Sequence, residues 1–123
     1  MAIAEPGAFT KTLAEAEAFR RAHACAALLP LLWQHDKSEP IGYIARASQD
    51  GHGLRCTFVL DQSIERGRQA YHGVKSGALA FSIGYRPLGY TWKGSTRVLT
   101  EIGLGEGSVV TFPANPEARA IAA

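Results

Sequence analysis

Two rhythms of apolar and polar positions divide the chain. In its first quarter Phe9, Leu13, Ala16 and Phe19 recur at intervals of three and four, the spacing that puts side chains on one face of an α-helix. The pattern predicts an amphipathic helix over 8–29, ended by Pro30, with Thr12 and Glu15 in capping-box relation. Its charged residues, Lys11, Glu15, Glu17, Arg20 and Arg21, form the solvated face. Beyond Pro30 the apolar runs are short and separated by Gly, Pro, Asp and Ser, which predicts strands at 31–34, 41–47, 54–60, 79–85, 96–102 and 108–112. The clearest is 54–60, where Leu54, Cys56, Phe58 and Leu60 alternate with Arg55, Thr57 and Val59. Asp61 reads as the N-cap of a second helix through Ile64, Tyr71 and Val74 that ends near Gly77. The alanine-rich end, 114–123, reads as a frayed tail.

Several short strands with turn signals and two helical stretches predict an α+β protein, mainly β. The six strands suggest a small barrel or folded sheet, and the form expected is a mostly antiparallel β-barrel of about six strands flanked by two or three helices. A length of 123 residues, 46% of them hydrophobic, suits one core, so 1–123 reads as a single domain.

Charge narrows the classes. Thirteen basic residues against eleven acidic leave a formal charge of +2, far from the basic footprint of a dedicated nucleic-acid binder. No apolar run has the ~18 residues of a membrane span, and no signal-peptide pattern opens the chain. A soluble, cytoplasmic protein is expected, with neither membrane nor nucleic acid as partner. The two cysteines, Cys25 and Cys56, lie in no metal-ligand or disulfide pattern. They read as reduced, buried thiols, and no metal or organic cofactor is expected.

The candidate chemistry centres on 79–85. There Leu79, Phe81, Ile83 and Tyr85 fall on one face of the strand, and Ala80, Ser82 and Gly84 on the other. A hydroxyl among minimal side chains can be approached closely by an extended peptide, although small residues can equally pack beneath a helix. The nucleophile-elbow pattern Gly-x-Ser-x-Gly is only half matched, and no histidine follows Ser82 as the α/β-hydrolase order requires. A serine nucleophile needs an adjacent base. Of four histidines, His23 lies within a helical pattern, His52 stands between two glycines and His72 sits near a helix end. His35 follows the apolar run 31–33 and precedes Asp36, where a core strand opens into a polar turn, a setting that suits a structural or a catalytic histidine. Glu106 and Glu101 are the acidic candidates after Ser82. Arg86 and Arg97 could assist an oxyanion or simply face solvent.

These segments together resemble the tailed-phage prohead (capsid-maturation) serine proteases, whose fold is related to the herpesvirus assemblin proteases. Pro6-Gly-Ala-Phe9 resembles that family's entry into its first helix. Pro30-Leu-Leu-Trp-Gln-His-Asp36 with Pro40-Ile-Gly42 resembles its histidine motif, and Leu79-Ala-Phe-Ser-Ile-Gly-Tyr85 its serine motif. Leu104-Gly-Glu-Gly-Ser-Val-Val110 with Phe112-Pro-Ala-Asn-Pro-Glu-Ala118 resembles its closing motif. The resemblance implies Ser82 as nucleophile, His35 as general base and Glu106 as the orienting acid, with Gly107 standing where relatives usually carry an apolar residue. It also implies an endopeptidase that cleaves scaffold or scaffold-like capsid protein, and itself, inside the assembling procapsid in the host cytoplasm. Self-association is expected, and segment 117–123 is a candidate for self-cleavage. The rival readings are an incompetent capsid-assembly domain on the same fold and a small nucleic-acid-binding barrel that stacks bases on Tyr43, Phe58, Tyr85 and Trp92.

Overall fold

The computed structural model of the protein describes residues 2–50 and 53–115. Its elements in chain order are β1 (Ala2–Ala4), α1 (Thr10–His23), β2 (Leu29–Trp33), β3 (Asp36–Asp50), β4 (Gly53–Leu60), α2 (Glu65–Ser76), β5 (Ala80–Lys93) and β6 (Thr96–Val110). The strands form one mixed six-stranded sheet in the order β1-β6-β2-β3-β4, with β5 also paired to β6.

The long strand β6 organises the sheet. β5 runs antiparallel along it from Lys93↔Thr96 to Ala80↔Val110. A strand has two hydrogen-bonding edges, and the other is shared by β1 at Arg97–Leu99 and β2 at Gly107–Val109, both parallel to β6. β2, β3 and β4 continue as antiparallel neighbours. Among the described residues no ladder joins β4 to β1 or β5, so the expected barrel is an open sheet here. The α+β class and two flanking helices are present, and the sheet has six strands, although they are not the six expected.

Apolar residues gather into two clusters, one under each helix. Leu13 of α1 packs on Ala8, Phe9, Leu99, Ile102 and Leu104. Ala70 and Val74 of α2 meet Leu31, Ile41 and Val109. Phe81 packs against the second cluster and Ile83 against the first. These residues stand two apart on β5, so one face of that strand serves both clusters. Burying each such side chain contributes roughly 1.5–3 kcal/mol.

Several boundaries differ from the sequence pattern. α1 stops at His23, where Ala24 turns left-handed (φ 52°) and its N–H returns to the carbonyls of Arg20 and Arg21. Residues 25–29 have helical composition, but the Leu28 N–H bonds the Ile44 carbonyl at 2.8 Å and the chain enters β2. Pro30, expected to end the helix, lies inside β2 opposite Tyr43. Phe9 holds the N-cap position of α1 without a side-chain cap. Thr12, expected in a capping box, instead accepts the Leu104 N–H through Oγ1 at 3.1 Å. Asp61 accepts from the Ser63 amide and hydroxyl, three residues before the N-cap position at Ile64. Gly77 ends α2 at φ 85°, a conformation that costs glycine no Cβ clash.

The strands expected at 96–102 and 108–112 are one strand, Thr96–Val110, because Gly103 and Gly107 pair with Arg86 and Ile83 of β5 and only Gly105 is passed over at a register shift. β5 runs on to Lys93 through register shifts around Gly84/Tyr85, Pro87/Gly89 and Gly89/Tyr90. Pro87 is tolerated because the far edge of β5 is unpaired among the described residues. β1 went unrecognised in the sequence, since three residues carry too little periodicity. Cys25, expected buried, is exposed just past the end of α1, while Cys56 is half-buried in β4. The tail beyond Asn115 lies outside the described residues.

Candidate active site

The site forms where the β2–β3 turn meets the β5–β6 ladder. Trp33 pairs with Asp36, so Gln34 and His35 are the central residues of a two-residue hairpin turn. Both have positive φ, 50° and 60°, the pattern of a type I′ turn that normally draws Asn and Gly. Tertiary bonds hold this unfavourable choice. The Gln34 N–H donates to the Val109 carbonyl at 2.8 Å. The Gln34 side chain donates to Thr111 Oγ1 at 2.9 Å and accepts the Thr111 N–H at 3.3 Å. The His35 N–H donates to Ser108 Oγ at 3.0 Å. Asp36, next in the chain, accepts from the hydroxyl and amide of Ser38, which hold its carboxyl below the usual carboxylate range.

On the ladder Ser82 faces Ser108, and Gly84 faces Glu106. Paired residues share a face, as do residues two apart, so these four side-chain positions form one patch. Glu106 lies flat across Gly84, and its carboxylate fills the space that a Cβ there would take. From that position Oε1 meets His35 Nδ1 at 2.6 Å, and Oε2 accepts the Ser108 hydroxyl at 2.6 Å. The imidazole is partly exposed, whereas Glu106 is largely buried and Ser108 fully so. A carboxylate in this position suits the tautomer with its proton on Nδ1 and Nε2 unprotonated.

Ser82 is 8% exposed. The chain turns back after β6, and the Ala114 N–H reaches Ser82 Oγ at 3.4 Å, a long bond that leaves the hydroxyl free to rotate. Ser82 therefore sits opposite Ser108, and Ser108 bonds the backbone of His35. An open groove beside Gly84 and Glu106 is lined by Lys11, Thr12, Lys37 and Arg86 as well.

The remaining candidates lie elsewhere. Glu101 pairs with Lys11 at 3.7 Å and stands opposite Gly89. Arg97 covers the Tyr90 ring at 5.3 Å, at the far end of the β5–β6 ladder from Ser82. Arg86 is exposed in the groove wall. His23 is stacked on Phe19 at the end of α1, and its Nδ1 lies 2.9 Å from the Phe19 carbonyl oxygen. His72 is exposed on α2, and His52 lies outside the described residues. Tyr43 pairs with Val59 on the β3–β4 ladder and Phe58 is stacked on Phe81, whereas Tyr85 and Trp92 are exposed on β5.

Sequence reasoning missed Ser108 and the purpose of Gly84. The first could have been suspected from its position two residues after Glu106, hence on the same face. The second needs the cross-strand register, which no local pattern contains. Gly107, the departure noted in the closing motif, faces the other way: a Cβ there would stand 2.9 Å from Ile44 Cδ1 and 3.1 Å from Phe58 Cε1. Ile44 and Phe58 already fill the space that an apolar side chain would occupy.

Comparison with known proteins agrees with the motif pattern. No solved structure matches the chain significantly. A capsid polyprotein of Pseudomonas phage PAJU2 is 33% identical over 102 residues, covering 73% of this chain and 15% of that protein. The chain thus corresponds to a small part of a much longer relative. The model of the caudovirus prohead serine proteases matches residues 3–123, nearly the whole sequence, and the chain belongs to that family.

Proposed function

We propose that the chain is a serine endopeptidase of phage capsid maturation, with Ser82 as nucleophile, His35 as general base and Glu106 as the group that orients the imidazole. The observation that carries this reading is the 2.6 Å contact between His35 Nδ1 and Glu106 Oε1, made on the patch of the sheet that also presents Ser82. A base held through one ring nitrogen by a carboxylate keeps the other for a hydroxyl proton.

In this mechanism Ser82 Oγ bonds the peptide carbonyl carbon while its proton passes to His35 Nε2. Collapse of the tetrahedral intermediate breaks the C–N bond, and His35 returns the proton to the leaving amine. Water then repeats the cycle on the acyl-enzyme, with the imidazolium stabilised by Glu106 and the oxyanion by backbone amides. The substrate is an extended, small-residue segment of scaffold or scaffold-like capsid protein, and of the chain itself, because a narrow face around Ser82 admits backbone more readily than bulk. The reaction takes place inside the assembling procapsid in the host cytoplasm, and self-association assists it. No metal or organic cofactor has a part in these steps.

A serine-reactive phosphonate followed by peptide mapping tests the proposal. The expected adduct is on Ser82 and is lost in Ser82→Ala and His35→Ala. A folded protein that takes no adduct at Ser82 would instead be an assembly domain without chemistry, a reading favoured by the contact of Ala114 with the hydroxyl.

A further inference from the structure

We propose that Ser108 is a positioning residue of this site: its hydroxyl locks the Glu106 carboxylate and the left-handed His35 backbone into one unit. The inference rests on the roles just given to His35 and Glu106, and concerns a residue those roles leave out.

The hydroxyl of Ser108 uses both of its hydrogen-bonding capacities. Its proton goes to Glu106 Oε2 at 2.6 Å, and its oxygen accepts the His35 N–H at 3.0 Å. The residue is 0% exposed, so water cannot stand in for either bond. Joining an N–H to a carboxylate through a single atom takes a group that both accepts and donates there, which a hydroxyl does and a carbonyl or amide nitrogen does not.

Each bond removes a specific freedom. A carboxylate held through one oxygen can still rotate about its last side-chain bond. With Oε1 on His35 and Oε2 on Ser108 its plane is fixed. His35 has φ 60°, a conformation that a non-glycine residue keeps only when its surroundings hold it. The bond from its N–H to Ser108 supplies such a hold at the residue itself. Ser108 in turn is placed by the ladder, between Ser82 on β5 and Leu32 on β2. The distance from nucleophile strand to base is thereby set through one buried side chain, across three strands and a turn.

A role in packing alone would make Ser108→Ala nearly neutral for chemistry. A positioning role predicts a loss in the chemical step with little change in binding. The test uses the whole chain and the variants Ser108→Ala, Ser108→Thr and Ser82→Ala, each checked by thermal melting. Saturation kinetics of inactivation by a diphenyl phosphonate separate its binding constant from its maximal rate. Long-range proton–nitrogen NMR of the imidazoles reports the proton on His35 Nδ1.

In Ser108→Ala the maximal inactivation rate should fall about 10- to 100-fold, the scale of a lost hydrogen bond to a charged group, with the binding constant unchanged. The His35 Nδ1–H signal should vanish, and Ser108→Thr, which keeps the hydroxyl, should restore signal and rate. Wild-type rate and signal in Ser108→Ala would overturn the inference. If Ser108→Ala does not fold, the near-isosteric Ser108→Cys, whose thiol is a far weaker hydrogen-bonding group, decides: a folded variant that loses signal and rate supports the proposal, and one that keeps both refutes it. Labelling that persists in Ser82→Ala would refute the proposed nucleophile instead, while the NMR signal would still judge Ser108.

Discussion

Glu106 reaches His35 by lying across Gly84, its carboxylate in the space that a side chain on β5 would claim. A methyl group there meets the carboxylate of Glu106, which can move aside only by giving up its bonds to His35 and Ser108. Gly84→Ala should therefore lower stability by about 1–3 kcal/mol and cut phosphonate labelling of Ser82 by at least about tenfold even in protein that remains folded, because the imidazole loses its orientation. Melting temperature and labelling rate, measured on one preparation, separate the two. Lower stability with wild-type labelling of the folded protein would mean that Gly84 is needed for the strand and not for Glu106.

Ser82 and His35 are expected to act as one unit. Ser82→Ala and His35→Ala should each nearly abolish cleavage of an unfolded protein substrate, and the double variant should be scarcely worse. Glu106→Gln should leave more activity than either, because it alters orientation and charge while sparing the bond-making atom. Losses that multiply in the double variant would indicate independent roles.

Gly107 tests the other face of β6. Its Cβ position lies 2.9 Å from Ile44 Cδ1, in the packed layer that includes the stacked rings of Phe58 and Phe81. Gly107→Ala should destabilise by about 1–3 kcal/mol, the usual cost of overpacking. Ile44→Val removes the obstructing methyl, so the double variant should recover part of that loss, a coupling that denaturant titration can measure. Strict additivity would show that the layer relaxes elsewhere.

The two thiols should separate by reactivity. Cys25 is exposed, whereas burial pushes the Cys56 thiol from 9.0 up to about 11. Iodoacetamide at pH 8 should modify Cys25 first and Cys56 only on unfolding, as mass spectrometry of timed samples would show. The folded-state value lies above the unfolded one, so the native state holds this proton more tightly. The stabilisation from Cys56 is complete below pH 9 and lost as pH rises towards 11. Cys56→Val should therefore flatten the decline in melting temperature over that window. An unchanged decline would assign it to other groups.

Local chemistry was sufficient for much of this protein. The 3.6-residue spacing of Phe9, Leu13, Ala16 and Phe19 and the alternation from Leu54 to Leu60 specified α1 and β4, because both patterns depend on neighbours a few residues apart, although Phe19 is exposed rather than packed on the sheet. Four motifs in order marked the family, and with it Ser82, His35 and Glu106 as the residues to examine. What the chain does at long range was illegible. The apolar stretch ending in Pro30 suits a helix until Leu28 meets the Ile44 carbonyl, and the glycines of 103–107 suggest a loop until β5 pairs along the segment through a register shift at Gly105. The left-handed Gln34 and His35 contradict their own backbone preferences and persist through bonds to Val109, Thr111 and Ser108. Only the β5–β6 register sets Ser82 opposite Ser108 and Gly84 beneath Glu106. A one-residue slip would send these side chains to the other face, and the energy that forbids it is spread over the cores beneath α1 and α2 rather than held in any motif.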